Sequence, residues 1–343
     1  MKKIGKKWCS LFVLLVMFGG SLNLFAQEQE VQEEEAEERE EKEGFGYQLA
    51  VSLSMSPVLE SKPDDGGGKN HFASIKGMNI PVPYAQFVSI YTKPLDFGDS
   101  PIFSGANIAF VAGPTLTPIT LDTQAGIIFT PSPILNIALG ATAGTGWAIG
   151  DSHGIGLYNS SSDKYEQSVP FTVWRYSFCF QTNFQFDFGA IFPGEWTHII
   201  ITANEQLYYE GNTAAKKYDL WEWTSGIDYV NGFNQSGNVL LGYMFPEKTF
   251  RLIGVALAWQ SLLNGSDYGV YAKTFDGDFV NLVLGLQAMI SLNDNNQLAI
   301  GTSLSSQRAF LEPPSLTGSN IKKTASGREW CFTGVTVQWV YTF

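Results

Sequence analysis

The sequence predicts an all-β chain: a single antiparallel transmembrane β-barrel of twelve strands, with ten and fourteen as the neighbouring even counts, behind a disordered acidic N-terminal tail. Three observations predict it. First, residues 330–343 (WCFTGVTVQWVYTF) place Val335, Val337, Trp339, Tyr341 and Phe343 at every second position. Such an aromatic strand left with an open edge invites aggregation, whereas a closed barrel pairs both its edges and turns its apolar face to lipid. Second, residues 171–190 put Trp174, Tyr176, Phe178, Phe180, Phe184, Phe186 and Phe188 on one face and Arg175, Ser177, Cys179, Gln181, Asn183, Gln185 and Asp187 on the other. At about 150–250 Å² per ring, this face far exceeds the few hundred Å² of apolar patch a soluble monomer exposes. Third, the connections between alternating segments are long and short in turn, as in membrane barrels.

The N-terminus reads as an export signal over residues 1–26. Lys2, Lys3, Lys6 and Lys7 precede the apolar run Leu11–Phe18, and Leu24-Phe25-Ala26 ends in a small residue suited to cleavage. The run is too short to cross a hydrocarbon core of about 30 Å as a helix, and no later stretch is long and apolar enough to do so. Cys9 lies ahead of the run, which argues against a lipid-anchored cysteine. Residues 27–44 form the acidic tail: ten glutamates against Arg39 and Lys42 within 27–43 give a local charge of −8. So charged a block repels itself and builds no core. Removing four signal lysines takes the chain from −12 to −16, which argues against a nucleic-acid partner. The barrel proper occupies 45–343. Cys179 and Cys331 remain, predicted at different depths and on different faces, and are read as free thiols.

Period-two alternation broken by Gly, Pro, Asn and Asp clusters assigns strands at 46–56, 84–95, 102–113, 115–130, 133–149, 171–190, 196–210, 236–245, 249–262, 278–292, 297–311 and 329–343. In the first, Tyr47, Leu49, Val51, Leu53 and Met55 oppose Gln48, Ala50, Ser52 and Ser54. Leu135, Ile137 and Leu139 oppose Asn136, Ala138 and Gly140, and Leu282, Leu284 and Leu286 oppose Asn281 and Gln287. Long polar connections cover 57–83, 150–170, 211–235, 263–277 and 312–328. The join at Gly113-Pro114 is anomalously short where the alternation asks for a long loop.

Alternation also predicts the lumen. Arg175, Asp187, Asp122, Gln181, Asn183, Gln185, Asn204, Gln206 and Gln287 are the candidate pore-lining residues, with His198, Ser303, Ser305, Gln307, Thr336 and Gln338 on the same side. Arg175, Asp122 and Asp187 are read as the internal charges among neutral amides and hydroxyls. Arg175 and Asp187 are too far apart along one strand to pair directly, so their partners are expected on neighbouring strands. A neutral lining implies weak ion selectivity. No catalytic constellation emerges, and the chain is read as a non-enzyme. The three histidines, His71, His153 and His198, lack a serine two residues on, and there is no nucleophile elbow, phosphate loop or dinucleotide fingerprint. Asp64-Asp65 and Asp276 with Asp278 supply too few oxygens for Ca²⁺, and the Cys and His set is too sparse for structural zinc. No metal or cofactor is expected.

Two stretches, QFDFGAIFPGEWTHIIITANEQLYYEGNT (185–213) and NVLLGYMFPEKTFRLIGVALAW (238–259), together with the Phe343 ending, resemble a family of spirochaete (treponemal) outer-membrane β-barrel proteins. The resemblance implies a bacterial outer-membrane location but no chemistry. Trp339, Tyr341 and Phe343 likewise resemble the assembly signal read by the outer-membrane barrel-assembly machinery, which with outer-membrane lipid becomes an expected partner. The acidic tail would then be periplasmic, a solvated spacer or a dock for a basic periplasmic partner. The expected function is a passive channel or facilitator for small uncharged or amphiphilic solutes, the alternative an adhesin or ligand platform built on the outer loops. A rival resemblance, G-E-W-T-H-I at 194–199 followed by L-Y-Y-E-G at 207–211, is similar to laminin-G and concanavalin-like jelly rolls and implies a secreted glycan-binding β-sandwich.

Overall fold

The computed structural model describes residues 43–343 apart from 65–69, 80, 99–102, 104, 151, 225 and 316–318. The signal assigned to 1–26 and the acidic tail up to residue 42 lie outside the described residues. Twelve long strands close one antiparallel barrel: β1 Gly44–Met55, β2 Val82–Pro94, β3 Asn107–Leu116, β4 Thr120–Ser132, β5 Leu135–Gly146, β6 Arg175–Asp187, β7 Ile199–Asn212, β8 Gly232–Met244, β9 Phe250–Leu262, β10 Asn281–Asn293, β11 Asn296–Phe310 and β12 Ala325–Thr342. Each pairs with the next, and β12 returns to β1 in the register Gln48↔Thr342 through Met55↔Val335. Closure leaves no edge unpaired, the condition for strands in hydrocarbon. It also excludes the β-sandwich: Gly194–His198 is the turn between β6 and β7, where the Tyr243 hydroxyl donates to the Trp196 carbonyl at 3.0 Å.

Connections at one rim are short, as at 133–134, 245–249 and 294–295. At the opposite rim they run long, at 56–81, 147–174, 213–231, 263–280 and 311–324. We call these the turn rim and the loop rim. The apolar belt between them is outward-facing and uncovered by protein: Phe178 is 60% exposed, and Leu241, Leu257, Leu284 and Leu286 stand out similarly. Aromatic girdles mark both edges. Tyr176, Tyr209 and Phe233 touch one another towards the loop rim. Tyr47, Phe343 and Tyr341 do so at the turn rim, with 5.9 Å between the Tyr47 and Phe343 centroids. Such rings settle where hydrocarbon meets water. A carboxylate interrupts the belt. Glu205 faces outward on β7, and its carboxylate accepts from Gln235 Nε2 at 2.7 Å.

Two departures from strict alternation have clear causes. The expected join at Gly113-Pro114 lies inside β3, with Pro114 paired to Thr123. The turn falls at 117–119, where Thr117 Oγ1 accepts from the Thr120 amide at 3.0 Å. The β2–β3 ladder skips from Gln86↔Thr115 to Ser89↔Ala112, because Pro114 has no N–H to give. The second departure is a bulge at Gly334. Its φ is +115°, and a Cβ there would lie 1.9 Å from the Met55 carbonyl oxygen, so only glycine fits. The extra residue inverts the alternation upstream, and Glu329 and Cys331 turn inward and are buried. Cys179 and Cys331 are both free, as expected, but share the inner face instead of opposing ones.

Candidate functional site

The inner wall carries three levels. At the loop rim, Arg175 on β6 donates from Nε to Glu210 Oε1 on β7 at 2.5 Å and lies 3.5 Å from Asp122 Oδ1 on β4. All three groups point inward, and the Arg175 and Glu210 side chains are buried. Gly144 on β5 sits in register with both Asp122 and Arg175. A Cβ there would lie 2.1 Å from Asp122 Oδ1 and 2.9 Å from Trp223, so its missing side chain makes room for carboxylate and indole. The Trp223 ring covers the guanidinium at 5.3 Å, a cation–π contact strengthened by desolvation.

Trp223 belongs to a cap folded from the long loops. Short strands Lys164–Gln167, Ile155–Asn159, Trp221–Trp223 and Gly226–Tyr229 form an antiparallel four-stranded sheet. Beneath it Tyr165, Leu220, Phe275, Phe310 and Ile321 pack as an apolar core shared by four loops and the β11 end. The expectation of polar loops thus misses a buried cluster. One carboxylate ties three loops: Asp228 accepts from Tyr165 Oη at 2.7 Å, from the Asn320 amide at 3.1 Å and from the Ser319 hydroxyl. It adopts a left-handed φ of 61°, tolerated best by Asn, Asp and Gly. Nearby, His153 Nδ1 and Glu222 Oε1 meet at 2.8 Å. Burial pushes the Glu222 carboxyl up, with His153 pulling it back. Burial, reinforced by Glu210, pushes the Tyr229 hydroxyl up to about 12, so it stays protonated above the triad. Replacing Asp228 by Ala strands three donors, each unmet one costing about 1–3 kcal/mol. The expected result is rapid protease cleavage within 213–231 of the refolded protein while the barrel still migrates as folded on unheated gels; equal resistance to wild type would refute the role.

The second level is made of amides. Gln86, Gln124, Gln181, Gln206, Gln287 and Gln338 point inward from six strands, each with a small residue in register beside it. The neighbours are Ala50, Gly113, Ala138, Ser236, Gly254 and Ala299 respectively. The small neighbours leave room beside each amide, and Gln206 Oε1 accepts from the Ser236 hydroxyl at 3.2 Å. An asparagine ladder continues towards the turn rim. Gln181 Nε2 donates to Asn183 Oδ1 at 2.8 Å, Asn204 donates to Asn183, and Asn183 donates to Asn136. The third level, at the turn rim, holds apolar clusters on β2–β4 and β7–β10.

The structure therefore brings Arg175 and Asp122 together, and Gln181, Asn183, Asn204 and Gln206 along one wall. Gln287 on β10 lies three strands further round the ring, and Gln185 pairs in register with Thr202 near the turn rim. Asp187 is not a free lumen charge. It accepts from the Gly189 amide at 2.8 Å, capping the short helix Phe188–Ala190, and meets His198 Nδ1 at 2.6 Å. Two inward charges escaped the sequence reading. Glu210 shares parity with Asn204 and Gln206, so alternation contained the signal. Glu329, which accepts from Gln307 Nε2 at 2.7 Å, was hidden by the Gly334 bulge.

The sequence matches no protein-family model and no curated protein. Among solved structures it is similar to an outer membrane channel from Pseudomonas putida F1, at 10% identity over 90% of this chain and 100% of that one, with TM-score 0.43. It is similar also to the β domain of the Bordetella autotransporter BrkA (9% identity, 88% and 100% coverage, TM-score 0.41). A third is the translocator domain of autotransporter NalP from Neisseria meningitidis (11% identity, 89% and 90% coverage, TM-score 0.38).

Proposed function

We propose that the chain is a bacterial outer-membrane barrel that lets small uncharged or amphiphilic solutes diffuse through an amide-lined lumen beneath a folded cap. The observation that carries this reading is the abundance of inward glutamines, Gln86, Gln124, Gln287 and Gln338 among them, which can hydrogen-bond a neutral solute without favouring either sign of charge. The charges on the inner wall are engaged elsewhere: Arg175 with Glu210 and Asp122, Asp187 with His198. On this reading Arg175 braces the wall and anchors the cap. The protein acts without covalent chemistry, sits in outer-membrane lipid and is inserted by the barrel-assembly machinery through Trp339, Tyr341 and Phe343. The spirochaete origin, the cleaved signal and a basic periplasmic partner for the acidic tail complete the reading. The ordered cap also favours a second reading, a surface platform that binds a ligand through its four-stranded sheet.

Planar-bilayer recording separates the two. The refolded protein is expected to give small ohmic steps with cation and anion permeabilities close to their mobility ratio, and Trp223→Ala is expected to lengthen open times by freeing the cap. Protein that is fully folded by gel mobility yet electrically silent in both forms would overturn the channel reading and leave the platform.

A further inference from the structure

Two arginines stand side by side where β11 and β12 reach the loop rim. Arg308 pairs in register with Arg328, and the row next to them is Gln307↔Glu329. Glu329 points inward, so by the alternation of the strand both arginines point outward. Like charges directly opposite one another repel, and among the described residues neither guanidinium forms an ion pair. The Asp276 carbonyl accepts from Arg308 Nε at 3.0 Å, and the Asp276 carboxylate acts on Arg328 through space. One carboxylate facing two cations leaves a positive charge over.

Aromatic rings hold the two side chains in place. Arg308 lies 4.2 Å from the Phe275 ring and 5.0 Å from Phe279, and Arg328 lies 4.4 Å from Phe279. Stacking occupies the face of a guanidinium and leaves its in-plane N–H groups for other partners. Arg328 Nη1 donates to Ser306 Oγ, and both arginines are only half-buried. An independent observation concerns the surface below them, which is apolar and open. Trp330 stands about as far along β12 from the turn rim as Tyr176 does along β6, which puts it in the loop-rim girdle. Phe72, 65% exposed, lies beside it, because His71–Phe72 pairs in parallel with Glu329–Trp330. Phe332, paired with Leu304, continues this face towards the belt. The arginines therefore sit just beyond the girdle, at the depth of lipid headgroups.

We propose that Arg308 and Arg328 bind the phosphate of an anionic lipid in the leaflet at the loop rim, whose acyl chains lie along Trp330, Phe72 and Phe332. Guanidinium forks match phosphate oxygens in geometry and charge, and a phosphate shared by the pair offsets the repulsion within their row. Continuity with the apolar belt selects a lipid over a soluble anion, which gains nothing from the exposed rings beneath. The site needs the barrel to stand in lipid and is independent of the channel reading.

The probe is phosphatidylglycerol with a diazirine in its acyl chain, a minor component of phosphatidylcholine vesicles that hold the full refolded chain, with attachment mapped by mass spectrometry. A phosphatidylcholine probe with the same chain gives the baseline. Normalised to attachment at Leu257, the anionic probe is expected to favour Phe72, Trp330 and Phe332 over the baseline by about twentyfold, since an arginine near the surface is worth about fivefold towards an anionic lipid. Arg308→Gln and Arg328→Gln should each cut this preference about fivefold, with unheated gel mobility confirming that the barrel is folded. A merely loosened loop would change both probes alike. Equal attachment by the two probes, or a preference untouched by both substitutions, would overturn the site. Loss of the preference on adding inorganic phosphate equimolar with the probe would overturn it too, because the pair would then be a soluble-anion site.

Discussion

Replacing Arg175 by Ala is expected to remove about 3–5 kcal/mol of barrel stability, the cost of leaving buried charges without their partner. Glu210 would keep its carboxylate in the wall with no cation at 2.5 Å, and Asp122 would lose its contact at 3.5 Å. The Trp223 indole would lose the guanidinium beneath it, so the cap should loosen along with the wall. The reasoning has a sharper consequence. Replacing the whole triad, Arg175→Met with Glu210→Leu and Asp122→Leu, should restore stability to near wild type, because an apolar cluster of similar volume avoids the desolvation that the ion pairs only offset. Reversible urea unfolding from lipid vesicles, followed by tryptophan fluorescence, measures both. A single substitution costing under about 1 kcal/mol would mean that the triad is solvated like a surface ion pair. That would return Arg175 to the list of residues open to a passing solute.

Strand number, closure and most of the inward set were legible because one rule governs them. In a barrel with lipid outside, every strand must alternate, and Tyr47 to Met55 or Trp174 to Phe186 state the rule residue by residue. What the rule did not reach has specific physical causes. Gly334 adds one residue and inverts the parity of the stretch just before it in β12, so Glu329 and Cys331 changed faces. Pro114 reads as a turn residue, yet it is tolerated in β3 because the β2–β3 ladder opens opposite it. The cap was illegible for a different reason. Its core joins Tyr165, Leu220, Phe275 and Ile321 from separate loops, and no local period announces contacts made between loops. Glu205 shows the converse: alternation alone would place it in lipid, and it is there, its carboxylate engaged by Gln235.

Leu257→Arg tests the barrel's surroundings directly. Leu257 is 47% exposed and lies in register between Val239 and Leu284, both outward and exposed. If water bathed this row, an exposed substitution away from any packed feature would change stability by less than about 0.5 kcal/mol. In hydrocarbon the same arginine costs about 2–4 kcal/mol near the midplane, less towards the girdles. Moving the arginine to Tyr243, at the turn-rim end of β8 beside Phe245, should therefore reduce the penalty to about 0–1 kcal/mol. The depth dependence is the diagnostic, since a simple packing defect would not track distance from the membrane centre. Unfolding free energies in vesicles for the two variants, compared with wild type, provide the readout. Equal penalties at both positions would remove hydrocarbon as the cover for this face, and with it the reason why closed pairing, outward leucines and inward glutamines occur together.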